Sequence, residues 1–277
     1  MSTPVNGTPG DATPAIEFQG AEKTYFGSTP AKDYAALAAT TLSIAQGEFV
    51  SIVGPTGCGK STLLNLVAGL MQPSAGRVRV FGETLADVNT RAGYLFQADT
   101  LLPWRSALDN VKAGLAFHRV PAAEAEARAR DWLARVGLAA HVHKLPHELS
   151  GGMRKRVALA QTLVLDPNII LMDEPFSALD VQTRLLMENE LLDLWMSSRK
   201  TVLFVTHDLE EAISLSDRVV VLSAGPATRP IAEFAIDLPR PRDVSEIRLT
   251  PEFSELHRKI WDAMKNEVLK AYAGRTH

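Results

Sequence analysis

Apolar residues along this chain follow two rhythms, and the points where one gives way to the other mark its elements. Ile16-Glu17-Phe18 and Thr41-Leu42-Ser43-Ile44 alternate apolar with polar, as half-buried strands do, whereas Phe49-Val50-Ser51-Ile52-Val53 is nearly continuous and predicts a fully buried strand. That strand stops at Gly54. From Ser61 to Leu70 the apolar positions Leu63, Leu64, Val67 and Leu70 have helical spacing, with Gly69 and Pro73 as stop signals. Strand, glycine-rich turn and helix therefore follow in order.

A helical insert is predicted from about Ala98 to Leu165, containing the Ala/Glu/Arg-rich stretch Pro121 to Gly137 with its Pro start and Gly stop. Strand-like text returns at Asn168–Met172 and Thr201–Val205, separated by Val181–Ser198 at helical period. Strands alternating with helices imply right-handed crossovers and a parallel sheet, so the class is α/β. Beyond Pro239-Arg240-Pro241, Thr250 caps a further helix with Pro251 in its first turn; Phe253, Leu256, Ile260, Met264 and Leu269 fall on or near one face of it. Met1–Pro14, rich in Pro, Gly, Ser and Thr without periodic apolar positions, reads as a disordered leader. The organisation expected is a leader at 1–14, a domain over 15–240 and a helical tail at 241–277.

Composition narrows the function more than the fold. Of 277 residues, 46% are hydrophobic and 22% charged, which excludes a wholly disordered or coiled-coil chain. Lys plus Arg number 29 against 32 for Asp plus Glu, a net charge of −3, so there is no basic excess for a phosphate backbone and nucleic acid is not an expected partner. The single Cys58 forms no internal bridge, and the N-terminus lacks the charged and apolar stretches of a secretion signal, which points to the cytoplasm. The longest apolar runs, such as Ile169–Met172 and Val219–Leu222, fall far short of the roughly 20 residues that span a bilayer. If the protein serves a membrane, another chain crosses it.

Gly54-Pro55-Thr56-Gly57-Cys58-Gly59-Lys60-Ser61 fits G-x-x-x-x-G-K-[ST] between a buried strand and a helix, the context that pattern requires. Glycines let successive backbone N–H groups converge on phosphate oxygens, and the following helix points its positive end at them. Lys60 then reaches the outer phosphates and Ser61 places a hydroxyl on Mg²⁺, making a Mg-nucleoside triphosphate the expected ligand. A second strand ends in Asp173-Glu174 at the sheet edge where such folds bind ligands. Asp173 is suited to a Mg-bound water and Glu174 to polarising the attacking water as general base. His207, after the strand Val202–Val205, reads by itself either as a structural residue or as a hydrogen-bond partner of the γ-phosphate.

With Leu149-Ser150-Gly151-Gly152-Met153 added, the chain resembles the ATP-binding subunit of an ATP-binding cassette (ABC) transporter over about Ile16 to Pro241. The motifs occur in the family's order: Tyr25, the phosphate loop, Gln97, LSGG, Asp173-Glu174, Ser177-Ala178-Leu179-Asp180 and His207. The resemblance implies a P-loop NTPase fold with a RecA-like parallel core, an N-terminal antiparallel β layer and an inserted α-helical subdomain. It implies that Tyr25 stacks on the base, with Phe26 as a rival. It also implies that the nucleotide is held by Gly54 through Ser61 together with Thr62, Ser150, Gly151, Gly152, Met153 and Asp180. Mg²⁺ falls to Ser61, Gln97 and Asp173, and catalysis to Glu174, His207 and Gln97. Met153 departs from the Gln that most of the family carries, a change also similar to that in many relatives of the nitrate, sulfonate and taurine importers. Ser150-Gly151-Gly152 opens a helix and so binds phosphate by the same amide and dipole logic as the first loop. The resemblance implies that this turn completes the site of a second copy, giving a head-to-tail homodimer around two ATP molecules.

The FQ-x-x-x-LLPW segment, DEPFSALD and the tail Ile236 to Arg242 look like the nitrate/sulfonate/taurine importer branch. That implies transmembrane permease subunits as partners, a periplasmic solute-binding protein indirectly, and a peripheral place on the cytoplasmic face of the inner membrane. A soluble, non-transport ABC ATPase is the alternative. Leu101, Leu102 and Trp104 either line the groove for a permease helix or pack the insert's own core. His141, His143 and His147 have loose metal-ligand spacing and otherwise read as a surface loop. The helix N-terminus and Lys60 are expected to favour the Cys58 thiolate, so that alkylation blocks ATPase activity and ATP protects.

Overall fold

The computed structural model describes residues 13–29, 32–98 and 100–273. The leader expectation therefore lies mostly outside the described residues; its last part, Thr13, is held, because Gln46 Nε2 donates to the Thr13 carbonyl at 2.8 Å. Two sheets organise the rest. The first is antiparallel and runs β2 (Tyr34–Ile44), β1 (Ile16–Tyr25), β4 (Ala75–Val80) and β5 (Glu83–Thr84). The second has the order β10 (Pro230–Ala235), β9 (Arg218–Leu222), β3 (Phe49–Val53), β8 (Thr201–Val205), β7 (Ile169–Asp173) and β6 (Ala92–Leu95); it is parallel apart from the β9–β10 edge.

The continuous apolar text of β3, β7 and β8 follows from cover on both faces. Val50, Ile52, Leu171, Leu203 and Val205 point into a core shared with α1 (Lys60–Val67) and the antiparallel sheet. Phe49, Ile170, Met172, Val202 and Phe204 point the other way, toward α4 (Gly151–Leu163) and α5 (Val181–Ser198). Helix α1 contributes Leu63, Leu64, Leu66 and Val67 and is buried between the two sheets; it ends at Val67 rather than Leu70. The predicted insert carries α2 (Ala107–Phe117), α3 (Ala122–Arg135) and α4, whose apolar faces meet through Val111, Leu115, Ala129, Leu133 and Val157. Helix α3 starts after Pro121 and stops before Gly137, which takes a φ of +71°.

Beyond the sheet, α6 (Leu209–Leu215) and α8 (Pro251–Ala273) enclose a third core, and α7 (Val244–Ile247) joins them to α5. On α8, Phe253, Ile260 and Met264 are buried and Leu256 is partly so, but Leu269 is 65% exposed. Val268 takes its place, because steps of four residues from Ile260 through Met264 hold one face while residue 269 is rotated about 100° further. Arg242 rivets this region to α6. Its buried guanidinium donates to the carbonyls of Ile213, Ser214 and Ser216 at the end of α6, and to those of Ile236 and Leu238. Burial pushes its pKa down to about 10. Among the described residues no helix is long and apolar enough to cross a membrane.

Candidate nucleotide site

Three neighbouring strands, β3, β7 and β8, deliver their carboxyl ends to one edge, and most of the predicted site collects there. From β3 the chain turns through Gly54-Pro55-Thr56-Gly57-Cys58-Gly59 into α1. Gly57 and Gly59 have φ of +81° and +95°, and a Cβ on Gly59 would lie 3.2 Å from the Ala36 carbonyl, so the turn needs residues without side chains. Lys60 is 5% exposed; its Nζ donates to the carbonyls of Gly54 at 3.0 Å and Pro55 at 3.2 Å and lies 3.8 Å from Glu174 Oε1. Thr56, Gly57, Gly59, Lys60, Ser61, Thr62, Gln97 and Glu174 line a cleft of about 360 Å³.

Asp173 closes β7 beside α1. Ser61 Oγ donates to its Oδ1 at 3.0 Å and the Tyr94 hydroxyl donates to Oδ2 at 3.5 Å. Burial pushes the Asp173 carboxyl above its usual range, against the opposing pull of the Ser61 hydrogen bond. Glu174 is the hub. Its Oε2 lies 3.0 Å from His207 Nδ1, a spacing at which the ring N–H donates to the carboxylate, and 3.4 Å from Gln97 Nε2. Its backbone is left-handed, with φ of +44°, and its N–H donates to Val205 at 2.9 Å. A non-glycine residue so placed carries about 1–3 kcal/mol of strain, which typically persists where surrounding structure enforces it.

Other predicted residues stand apart from the cleft. Ser150 caps α4, its hydroxyl accepting from Met153 N at 3.3 Å; Gly151 is exposed, and Gly152 is packed so closely that a Cβ there would lie 2.6 Å from Thr183 Cγ2. Met153 packs on the helical core. Asp180 caps α5, accepting from Thr183 N at 3.0 Å, a bond that holds its carboxyl below the usual range. None of these five residues lines the cleft of its own chain. Tyr25 is fixed by α1, with its hydroxyl 3.3 Å from Thr62 Oγ1 and 3.3 Å from Met71 Sδ, whereas Phe26 is 76% exposed.

The two readings of the Leu-Leu-Pro-Trp cluster divide by residue. Leu101 joins the helical core, while Trp104 is 73% exposed. The bend between them is shaped by the buried Asn110, which accepts from Leu102 N and donates to the carbonyls of Leu102, Arg105 and Ser106. His143 and His147 are exposed, and among the described residues no group of three His, Cys, Asp or Glu is gathered to hold a metal.

Cys58 corrects an expectation. It is 2% exposed, and burial raises its thiol pKa by more than Lys60 and the backbone lower it. Charge on the neighbours was visible in the sequence; the packing that outweighs it was not. At pH 7.5, a maleimide is expected to modify Cys58 in the folded chain at least about tenfold more slowly than in the urea-unfolded chain. Equal rates by mass spectrometry would contradict the buried, protonated thiol.

Tyr94 and Lys155 belong to no motif yet stand at the site. Tyr94 joins Asp173 to Asn65 Oδ1, 3.2 Å away, and stacks on Phe96 with centroids 4.0 Å apart. Lys155, one turn into α4, donates to the Gln97 carbonyl at 2.5 Å and so ties the LSGG helix to the cleft wall. Tyr94 and Phe96 alternate onto one side of the β6 text, the one signal that was available; Lys155 has none, since its partner is 58 residues away.

A glycine loop between β3 and α1, with an acidic strand end beside it on a parallel sheet, defines a P-loop nucleoside triphosphatase. The family described as ABC transporter matches residues 37–177. An uncharacterized ABC transporter ATP-binding protein of Methanocaldococcus jannaschii is 47% identical over 231 residues, covering 83% of this chain and 84% of that protein. The nitrate import ATP-binding protein of Synechococcus elongatus is 39% identical over 249 residues, covering 89% and 90%. The taurine import ATP-binding protein of Pseudomonas aeruginosa is 42% identical over 226 residues, covering 80% and 86%. Among solved structures, a dimeric ATP-binding cassette in a post-hydrolysis state, bound to ADP and Pi, matches with a TM-score of 0.71 and 33% identity over 81% of this chain and 100% of that one. This chain belongs to the ABC transporter family.

Proposed function

We propose that this chain is the ATP-hydrolysing subunit of an importer for a small anion or organic solute of the nitrate, sulfonate or taurine kind. Two copies close head to tail on two ATP molecules, and the closure moves a permease. The carrying observation is the division of the site: Lys60, Gln97, Glu174 and His207 meet at one sheet edge, while Ser150–Met153 and Asp180 stand away from that cleft. A second copy supplies the missing wall, and the dimeric cassette structure supports that arrangement.

Within each site the loop amides and Lys60 bind the β- and γ-phosphates, Tyr25 stacks on the base, and Thr62 supports Tyr25. Glu174 polarises the attacking water, with His207 and Gln97 orienting its carboxylate. The Ser61 hydroxyl, the Asp173 carboxylate and the Gln97 amide are hard oxygen donors, a set that fits Mg²⁺; bound there, the ion would neutralise phosphate charge. Exposed Trp104, on the loop that follows Gln97, is suited to meet a permease helix. The residue ranges proposed are 15–240 for the cassette, with a helical subdomain at about 98–165, and a helical tail at 241–277. The expected place is the cytoplasmic face of the inner membrane.

If the site is shared between copies, ATP turnover per chain rises with protein concentration through the dimerisation midpoint measured by sedimentation. Turnover that stays constant down to concentrations where only monomer sediments would overturn the proposal. Labelled taurine and nitrate uptake with the coexpressed permease then separates the candidate solutes.

A further inference from the structure

His207 reaches Glu174 from a turn with little cover of its own, its side chain 54% exposed. The residues on either side of it are fixed. Thr206 Oγ1 donates to Glu211 Oε2 at 2.6 Å and accepts from Asp208 N at 3.0 Å. Asp208 caps α6, its Oδ1 accepting from the N–H groups of Glu210 at 2.8 Å and Glu211 at 3.3 Å. The other Asp208 oxygen takes a hydrogen bond from outside the turn: Arg184 Nη1 donates to Oδ2 at 3.1 Å.

Arg184 lies on the first turn of α5, one turn beyond Asp180. Besides Asp208 it reaches Leu179, whose carbonyl accepts from Nη2 at 3.3 Å, and its Nε is 3.7 Å from Glu211 Oε1. One guanidinium thus ties Asp208 to the Ser177–Asp180 segment by hydrogen bonds, with Glu211 at ion-pair distance. Arg184 sets a positive charge beside two neighbouring carboxylates, Asp208 and the 2%-exposed Glu211. The fork geometry matters, because Nη1 and Nη2 donate in two fixed directions, to Asp208 and to the Leu179 carbonyl, which a single ammonium on a flexible stem does not reproduce.

We infer that Arg184 is a positioning residue for ATP hydrolysis, locking the His207 turn against the Ser177–Asp180 segment so that the imidazole is presented to Glu174. The inference rests on the proposed reading of His207 and deepens it. It also gives the segment containing Asp180, which stands outside its own chain's cleft, a direct mechanical tie to that chain's His207.

The test uses the full chain at dimer-forming concentration with Mg-ATP. Arg184→Met is expected to lower kcat by about 10- to 100-fold, as small misplacements of reacting groups do, with KM for ATP changed less than about twofold. Arg184→Lys, keeping charge but not the fork, is expected to recover part of the loss. In a His207→Ala background, Arg184→Met should cost less than about twofold more, because both changes disable one unit. Far-UV circular dichroism and the melting temperature report on folding; should the Met variant fail to fold, Arg184→Lys and Arg184→Gln carry the same comparison. Unchanged kcat in a folded variant, a raised KM alone, or losses that multiply with His207→Ala would overturn the inference. If His207→Ala itself turns over ATP normally, the reading of His207 fails instead.

Discussion

Replacing Glu174 by Gln is expected to slow ATP turnover by about 10²- to 10⁴-fold, the usual contribution of a positioned general base, while leaving ATP affinity near that of the unaltered chain. The substitution is close to isosteric. Gln keeps an oxygen for the His207 and Gln97 contacts at 3.0 and 3.4 Å but loses the charge that draws a proton from water. Binding and hydrolysis then separate, and a chain that closes on ATP without cleaving it accumulates as a dimer. Gel filtration with Mg-ATP should show that dimer, with monomer in ADP. Turnover equal to that of the unaltered chain would remove Glu174 from the role of base; slow turnover without an ATP-dependent dimer would remove the shared site.

Lys60→Ala acts on the other side of the cycle. The Lys60 ammonium is buried and held by the Gly54 and Pro55 carbonyls at 3.0 and 3.2 Å, so it is already desolvated and aimed within the loop. A charged hydrogen bond of this kind is worth about 1.5–3 kcal/mol, which corresponds to a loss of roughly 10- to 150-fold in nucleotide affinity. Equilibrium titration with a fluorescent ATP analogue reads that loss directly. Removal also leaves two buried carbonyls short of a donor, so a fall in melting temperature should accompany it. An affinity within about twofold of the unaltered chain would contradict the phosphate cradle.

Where chemistry is carried by neighbours in sequence, the text was readable. The phosphate loop, the acidic end of β7 and the turn at Ser150 each combine a local residue pattern with a strand or helix end, and the structure puts each where that pattern indicates. The first part of β1 was visible and its remainder was not, because register shifts between Phe18, Ala21, Lys23 and Thr24 break the period of two. Strands β4 and β5 carry little apolar signal, with Ala75, Arg77 and Glu83 exposed. Leu269 and Cys58 depart from the sequence pattern for separate reasons: residue 269 lies about 100° round α8 from Val268, and the burial of Cys58 outweighs the charge beside it. Arg184, Lys155 and Arg242 depend on partners far away in sequence, such as Asp208, the Gln97 carbonyl and the end of α6. No periodicity brings such pairs together.

The left-handed peptide at Glu174 has a consequence for anyone wishing to harden this protein against heat. Glycine would relax that backbone, and a stability-guided redesign would select it early, yet it would erase the one carboxylate that Lys60, Gln97 and His207 surround. Thermostabilising substitutions therefore belong elsewhere, on surfaces remote from the strand ends, with this residue held constant throughout the search.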